Sequence, residues 1–170
     1  VRDHVGERLV LVDLGFSPRR TAALLEQAGL ATERVVGAVL THLDRDHCHA
    51  GWCRAGALAR PPMVHWAHAR RAECEGLNAG KVQTFVRDEE VAPGIVVSAC
   101  LSAHDHLGVA VLRFTCAGRS VGYATDLGCV TEDIVDHLHR VSVLAIESNY
   151  CPQLQAESDR PDFLKRRITG

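Results

Sequence analysis

The sequence is organised around the stretch Thr-His-Leu-Asp-Arg-Asp-His-Cys-His, residues 41–49, in which six of the nine side chains can bind a metal ion. The apolar run at residues 35–40 leads into it and predicts a buried strand that ends where the polar cluster begins. Functional side chains of α/β proteins gather at such strand ends. A strand would turn His42, Asp44 and Asp46 to one face, whereas in a loop Asp46 and His47 can wrap around a second point. The spacing therefore favours two neighbouring metal ions over one.

The ligand types in this stretch indicate which metals it would hold. Imidazole and carboxylate together suit zinc, manganese or iron. The alternative is a polar surface loop that is merely rich in His and Asp. Carboxylates and imidazoles packed this densely after a strand repel or compete unless a cation satisfies them, which favours the metal site.

Composition excludes several classes of protein. The 170 residues suffice for one domain with a hydrophobic core, and we expect a single domain over residues 1–170. With 46% hydrophobic and 24% charged residues and a net charge of -2, the chain lacks the global basic field of many nucleic-acid-binding proteins. We find no secretory signal and no membrane-spanning apolar run. The seven scattered cysteines predict reduced thiols in a cytoplasmic protein.

The apolar pattern predicts a mixed sheet or sandwich with helices outside, because several strands of the second half follow one another without helices between them. Helices are predicted over residues 19–28, 52–60, 68–75 and 131–139. Strands are predicted over residues 8–13, 35–41, 63–66, 81–87, 95–101, 109–116, 120–125 and 141–146.

Further polar side chains follow other predicted strands and are candidates to complete the site. His104 follows the strand that ends near residue 101, and Asp126 follows the strand ending at residue 125. Asp126 could bridge two ions, which in dinuclear sites lie about 3.5–4 Å apart, with a turn residue before Leu127 as the alternative. Asp13 ends the first strand and could orient a ligand histidine, with a turn-forming role as the alternative. Glu147, Ser148 and Asn149 end another strand and could line the cleft.

At these residues the chain resembles the metallo-β-lactamase superfamily, whose signature is His-x-His-x-Asp-His after a strand, followed by a distant His, a distant Asp and a final His. His42, Asp46 and His47 match the signature, and His104 and Asp126 match the distant pair. The segment Leu-Ala-Ile-Glu-Ser-Asn-Tyr, residues 144–150, is similar to the YycJ/WalJ-like branch. Asp44 departs from the signature, which has its second His there, and this shifts the expected preference from zinc towards manganese or iron.

The resemblance implies an αββα sandwich and a ligand set. The first metal ion would take His42, Asp44 and His104, the second would take Asp46 and His47, and Asp126 would bridge them. It also leads us to expect that the chain is incomplete at both ends, without an early strand and without the final His. The implied cofactors are two divalent ions, Zn²⁺ or Mn²⁺, with iron as a further option.

These features predict a hydrolase in which a hydroxide that bridges the two ions attacks the substrate, with Asp46 also moving a proton to the leaving group. The resemblance favours a phosphodiester substrate, with DNA attacked from an end as one candidate. The alternatives are a hydrolase of thioesters, lactones or small esters, a non-catalytic metal-binding protein with a degenerate site, and an iron-based oxidoreductase. We expect no membrane association, and the sequence leaves the oligomeric state open.

Overall fold

The computed structural model describes residues 8–53, 58–77, 80–102, 107–147, 151–159, 161–162 and 165. The first half contains β1 (Leu9–Val12), α1 (Pro18–Gln27), β2 (Val35–Leu40), β3 (Met63–His65), α2 (Ala69–Cys74) and β4 (Gln83–Phe85). The second half contains β5 (Glu89–Ala92), β6 (Ile95–Ser102), β7 (Val109–Cys116), β8 (Arg119–Ala124), α3 (Glu132–His137), β9 (Val143–Ile146) and α4 (Pro152–Glu157). Short 3₁₀ turns lie at Thr32–Arg34, Ala50–Cys53 and Trp66–His68.

The strands form two sheets. In the first sheet β1, β2, β3 and β4 lie side by side in that order, and every neighbouring pair is parallel. In the second sheet β5 to β9 lie in chain order; the first four strands are antiparallel, and β9 runs parallel to β8. Parallel neighbours need a crossover connection, and helices of the chain supply the crossovers after β1, β3 and β8.

The two sheets pack face to face, and the alternation of side chains along each strand separates the inner core from the outer faces. Val39 of β2 and Leu112 and Phe114 of β7 belong to the inner cluster, each at most 1% exposed. Their strand neighbours Leu40 and Val111 point the opposite way, into the clusters on the outer faces. The strands β2 and β7 are thus buried on both sides, which explains their continuous apolar runs.

Helices cover the outer faces. Ala72 of α2 packs into the cluster outside the first sheet, and Ile134 of α3 packs into the cluster outside the second sheet. The order of layers is therefore helix, sheet, sheet, helix, and the predicted αββα sandwich is confirmed.

Local sequence signals set the helix ends. Ser17 accepts a hydrogen bond from the backbone N–H of Arg20, and Pro18 occupies the first turn of α1, where a missing N–H costs nothing. Thr131 caps α3 in the same way through the N–H of Ile134. Gly29 follows α1 with φ of 68°, a left-handed conformation that glycine adopts without strain.

Two sequence expectations differ from the structure. The helix expected over residues 52–60 is wrong in the part that the structure describes: a 3₁₀ turn ends at Cys53, and residues 58–60 form a bend before Pro61. The strand β5 and the helix α4 were not expected. Glu89 and Glu90 of β5 are exposed and polar, so the strand forms through its pairing with β6 rather than through an apolar pattern of its own.

Among the residues that the structure describes, no helix combines the length and the hydropathy that crossing a lipid bilayer requires.

Candidate metal centre

The candidate centre lies at one edge of the sandwich, where strands of both sheets end. Asp13 follows β1, His42 follows β2, and Asp126 follows β8. The carboxyl ends of β1 and β2 meet because these strands are parallel neighbours. The backbone N–H of Ala110 in β7 donates to the carbonyl oxygen of Thr41 at 2.9 Å, which joins the two sheets directly beside the site.

The polar loop after β2 is not a strand but a tight turn. The backbone N–H groups of His47 and Cys48 both donate to the carbonyl oxygen of Asp44, at 2.8 and 2.7 Å. Leu14 holds this turn against the end of β1: its N–H donates to His47 O at 2.7 Å, and its carbonyl accepts from His49 N at 2.8 Å. The alternation of a strand therefore does not govern the side chains of residues 42–46.

Three side chains converge at the centre. The ligand atoms of His42, His47 and Asp126 all lie within 4.8 Å of one another. His42 is 2% exposed, and the centroid of its ring lies 4.0 Å from that of His47. Nε2 of His47 is 3.3 Å from Oδ2 of Asp126. The loop after β2 and the loop after β8 thus bring two imidazoles and a carboxylate to one point.

Two further carboxylates border this point. Oδ2 of Asp44 lies 3.5 Å from Nε2 of His42, and Oδ2 of Asp46 lies 3.7 Å from Nε2 of His47. The side chain of Asp46 is 82% exposed, whereas that of Asp44 is 38% exposed. Each imidazole therefore has one carboxylate from the loop on its Nε2 side, and Asp46 is much the more exposed of the two.

The other nitrogen of each imidazole is engaged by the protein. Nδ1 of His47 donates to Oδ2 of Asp13 at 2.9 Å. Nδ1 of His42 lies 3.0 Å from the hydroxyl of Thr41, which in turn donates to Asp13 at 3.0 Å. The network assigns the Nδ1–H tautomer to both rings, because Asp13 accepts and the hydroxyl proton of Thr41 is committed to Asp13. Both Nε2 atoms are consequently left as electron-pair donors that face the centre.

The two imidazoles differ in charge preference. Burial, and then the neighbouring His47, lower the pKa of His42. Burial also acts to lower the pKa of His47, but the hydrogen bond to Asp13 and the charges of Asp13, Asp126 and Asp46 outweigh it, so that the pKa is raised. Without a cation, the centre thus attracts a proton at His47.

Both inner aspartates have left-handed backbone conformations. The φ angle is 59° at Asp13 and 53° at Asp126, values that Asp tolerates better than most residues. The carboxylate of Glu147 fixes the turn at Asp126 by accepting the N–H of Leu127 at 2.8 Å, while its own N–H donates to Ala124 O at 2.9 Å. Local backbone strain of this kind is common at functional sites.

The donor set fits a transition-metal ion. Ligand atoms about 2.0–2.1 Å from a tetrahedral zinc ion lie about 3.3 Å from one another, and the contacts of 3.3 to 3.7 Å between imidazole and carboxylate are close to this spacing. Metal-bound histidines commonly donate their second N–H to a carboxylate or another acceptor, as His47 does to Asp13. The residues present therefore fit a bound divalent cation.

The structure brings together six of the eight residues that the sequence singled out: Asp13, His42, Asp44, Asp46, His47 and Asp126. The other two, His104 and Asn149, lie outside the described residues.

Two residues at the site, Thr41 and Arg71, were not given a role by the sequence analysis. Thr41 connects Asp13 to His42. Glu147, which the sequence placed among the residues that could line the cleft, holds the turn at Asp126. Arg71 of α2 forms an ion pair with Asp44 at 2.8 Å. The position of Thr41 directly before His42 could have suggested that Thr41 contacts this histidine. Nothing in the sequence, by contrast, links Arg71 to Asp44, which lies 27 positions earlier.

The αββα sandwich, with a cluster of His and Asp side chains at its strand ends, indicates the class of protein to which the chain belongs. The family model of the metallo-beta-lactamase superfamily matches residues 1–153, and the chain belongs to this superfamily of metal-dependent hydrolases. The sequence-based assignment to the superfamily is confirmed.

Individual relatives refine the comparison. The chain is 27% identical over 169 residues to a protein named exodeoxyribonuclease YycJ from Bacillus anthracis, a match that covers 95% of this chain and 62% of the relative. This similarity supports the YycJ-like branch that the sequence indicated. The chain thus spans less than two thirds of the length of that relative.

Solved structures share the fold at low identity. Zinc-bound PqqB from Methylobacterium extorquens superposes with a TM-score of 0.66 at 18% identity, covering 96% of this chain and 61% of PqqB. A diphosphatase of the PhnP family superposes with a TM-score of 0.56 at 18% identity, covering 81% of this chain and 54% of the diphosphatase. At these identities the similarity is one of fold.

Proposed function

We propose that this chain hydrolyses phosphodiester bonds with the help of two divalent metal ions, and that DNA is among its substrates. The observation that carries the proposal is the convergence of His42, His47 and Asp126 at the ends of β2 and β8, with the Nδ1 atom of each imidazole already hydrogen-bonded. Such a centre has the parts needed to activate water, and the chain belongs to a superfamily of metal-dependent hydrolases.

The choice of a phosphodiester rests on similarity to the YycJ protein, whose name describes an exodeoxyribonuclease. That relative is longer than this chain, so its substrate comes to this chain as part of the proposal. The net charge of -2 is compatible with a nucleic-acid substrate only if positive charge is supplied locally, and two divalent ions would supply it.

The proposal assigns the ligands as follows. His42 and Asp44, together with His104, would hold one ion; Asp46 and His47 would hold the other; Asp126 would be shared. When bound, the ions would be Zn²⁺ or Mn²⁺, with iron as a further option, and they would supply a water activated near neutral pH and positive charge for the developing oxyanion.

The side chains themselves orient the ligands and handle protons. Asp13 holds His47 directly and His42 through Thr41, so one carboxylate orients both rings. Asp46 is the exposed carboxylate beside His47, and in this proposal it also transfers a proton to the leaving oxygen. Its exposure lets it contact a substrate that approaches from solvent.

A metal-dependent phosphodiesterase assay tests the proposal. The purified chain, freed of metal with a chelator and then given Zn²⁺ or Mn²⁺, should hydrolyse bis-p-nitrophenyl phosphate and shorten end-labelled DNA. Asp126→Asn should reduce the rate at least a hundredfold, because it removes the carboxylate that faces His47. Asp136→Asn, which changes an exposed aspartate of α3, is the matched control and should retain the wild-type rate.

Parallel assays separate this proposal from the alternatives. Turnover of a thioester or lactone panel without phosphodiester cleavage would assign the centre to the other class of hydrolase. Bound metal without turnover of either class would indicate a non-catalytic metal-binding protein. Absence of bound metal in the wild-type chain would contradict the proposed centre itself.

A further inference from the structure

One carboxylate of the site is shared between the metal centre and a helix on the outer face of the first sheet. Oδ2 of Asp44 lies 3.5 Å from Nε2 of His42, while Oδ1 of Asp44 accepts an ion-pair contact from Nη2 of Arg71 at 2.8 Å. The two oxygens of this carboxylate therefore face different partners. A carboxylate held at one oxygen cannot rotate freely to offer the other.

Arg71 contacts the loop after β2 at two adjacent residues, Leu43 and Asp44. Besides its contact with Asp44, Nη2 donates to the backbone carbonyl of Leu43 at 3.2 Å. Leu43 is buried in the cluster that also contains Ala72 of α2, so the loop and the helix are packed together at this point. The guanidinium thus holds both the backbone and the side chain of the loop beside His42.

The guanidinium is itself held in place. Its Nε donates at 2.9 Å to Oε1 of Glu75, the residue that caps the end of α2 four positions further on. The planar fork of arginine makes these contacts in fixed directions, which a lysine ammonium cannot reproduce. Side chains of Arg71 and Asp44 are only 27% and 38% exposed, so this ion pair is better ordered and less screened than a pair on the open surface.

We propose that Arg71 is a positioning residue of the metal centre: it holds Asp44 so that one carboxylate oxygen faces the imidazole of His42 and the bound cation. This inference rests on the proposed function, because it assumes that Asp44 ligates a metal ion. Loss of Arg71 frees the carboxylate and weakens metal binding, although it also removes a positive charge from the neighbourhood of the cation. As long as position 44 is an aspartate, the loss of its orientation weakens metal binding more than the loss of the positive charge strengthens it.

The charge effect becomes visible when the carboxylate is replaced. Asp44→His supplies a neutral ligand that leaves the guanidinium of Arg71 without its acidic partner in the loop. In that background Arg71 keeps its contacts with Leu43 and Glu75 but holds no ligand side chain, so its positive charge near the metal becomes the dominant effect. The effect of removing Arg71 should therefore change sign between the two backgrounds.

The experiment measures zinc affinity by competition with a chromophoric chelator, using the metal-free chain and four variants. Arg71→Gln should weaken zinc binding about tenfold, as loss of a residue that supports a metal ligand commonly does. Arg71→Lys keeps the charge without the fork and should fall between Arg71→Gln and the wild type. In the Asp44→His background, Arg71→Gln should instead strengthen zinc binding relative to Asp44→His alone.

Arg70→Gln is the matched control, because it removes the same charge from the preceding, exposed position of α2 and should leave the affinity at the wild-type value. Circular dichroism of the metal-free variants checks that each one folds. Equal affinity of wild type and Arg71→Gln, or weakening by Arg71→Gln in both backgrounds, would overturn the inference and leave the proposed function intact. A wild-type chain that binds no zinc or manganese would contradict the proposed metal centre as well.

Discussion

Thr41 connects Asp13 with His42 at the candidate metal centre. It is fully buried, its N–H and hydroxyl both donate to Asp13, and the hydroxyl lies 3.0 Å from Nδ1 of His42. One small side chain therefore links Asp13, the carboxylate that orients His47, to the second imidazole. Serine could make the same bonds, whereas valine could fill the space but would keep only the backbone bond to Asp13.

We expect Thr41→Val to weaken zinc binding about tenfold, because the orientation and tautomer of His42 are no longer fixed. The metal-free chain should also lose about 1–3 kcal/mol of stability, since Asp13 loses a hydrogen bond in a largely buried position. Chelator competition and urea unfolding measure the two effects. Thr41→Ser should retain most of both properties, and equal losses in the serine variant would contradict the role of the hydroxyl.

At the scale of single residues, the sequence indicated which side chains are candidate metal ligands, but it did not indicate which distant side chains contact them. The types and spacing in residues 41–49 pointed to His42, Asp44, Asp46 and His47, because ligand chemistry is local. Arg71 could not be predicted, since its contact with Asp44 depends on how α2 packs against the loop. The roles of all these side chains remain proposals that the experiments above test.

The contact between the loop after β1 and the loop after β2 is a property of the two elements together. Gly15 has so little space that a Cβ there would collide with the backbone carbonyl oxygen of Asp46. The neighbouring Leu14 forms the backbone hydrogen bonds that hold the loop after β2 in place. Any side chain at position 15 must therefore push the two loops apart.

We expect Gly15→Ala to lower both the stability of the chain and its zinc affinity, because backbone cannot move aside as a flexible side chain can. Gly29→Ala is the control: it introduces backbone strain of about 1 kcal/mol at the end of α1, where nothing lies within 4 Å of the added Cβ. The control should lose stability but keep the wild-type zinc affinity. Wild-type zinc affinity in Gly15→Ala would show that the contact between the loops does not position the site.

The helix α3 gives the fold a dependence on pH. Burial, and then the positive charge of Arg113, lower the pKa of His137 below its ordinary value of 6.5. Nη1 of Arg113 donates to the carbonyl oxygens of His137 and His139, which fixes the cation beside the end of the helix. The folded chain therefore favours the neutral form of His137.

Since the unfolded chain binds this proton more readily, stability is fully present above pH 6.5 and decreases as the pH falls towards the lower pKa of the folded state. We expect the melting temperature of the metal-free wild type to fall between about pH 7.5 and pH 5.5, and to fall less in His137→Gln. Calorimetry at several pH values checks this. An identical fall in both proteins would remove His137 as a cause.

At the scale of elements, apolar runs predicted the long strands β2 and β7 well, because these strands are buried on both faces over much of their length. The strand β5 was missed because its sequence, Glu-Glu-Val-Ala, has no run of its own and depends on pairing with β6. The expected helix at residues 52–60 followed local composition, but of the residues that the structure describes there, 52–53 belong to a 3₁₀ turn and 58–60 form a bend. Tertiary pairing overrides propensity in such short segments.

For the molecule as a whole, the inner core connects the two sheets into one unit. The inner cluster contains residues of both sheets, among them Val10, Val39, Val97 and Leu112. Leu112 is completely buried and lies between its partners Ala99 in β6 and Tyr123 in β8. A cavity at this position should weaken both sheets together.

We expect Leu112→Ala to reduce the free energy of unfolding by about 2–5 kcal/mol, the usual cost of removing a buried leucine side chain. Unfolding should follow one transition, coincident by circular dichroism and by tryptophan fluorescence, to which Trp52, buried outside the first sheet, and the exposed Trp66 both contribute. Val135→Ala, at an exposed position of α3, should change stability little. Two separate transitions would contradict a single folding unit.

The left-handed backbone of Asp126 has an evolutionary consequence. Glycine or asparagine would suit this conformation at least as well as aspartate, so the backbone gives no reason to retain a carboxylate at this position. A lineage that stopped using the centre should therefore lose the aspartate at position 126 first, whereas the hydrogen bonds that Asp13 accepts from Thr41 and His47 would still favour aspartate at position 13. Among relatives of this chain, aspartate at position 126 would then serve as a marker of continued selection on activity.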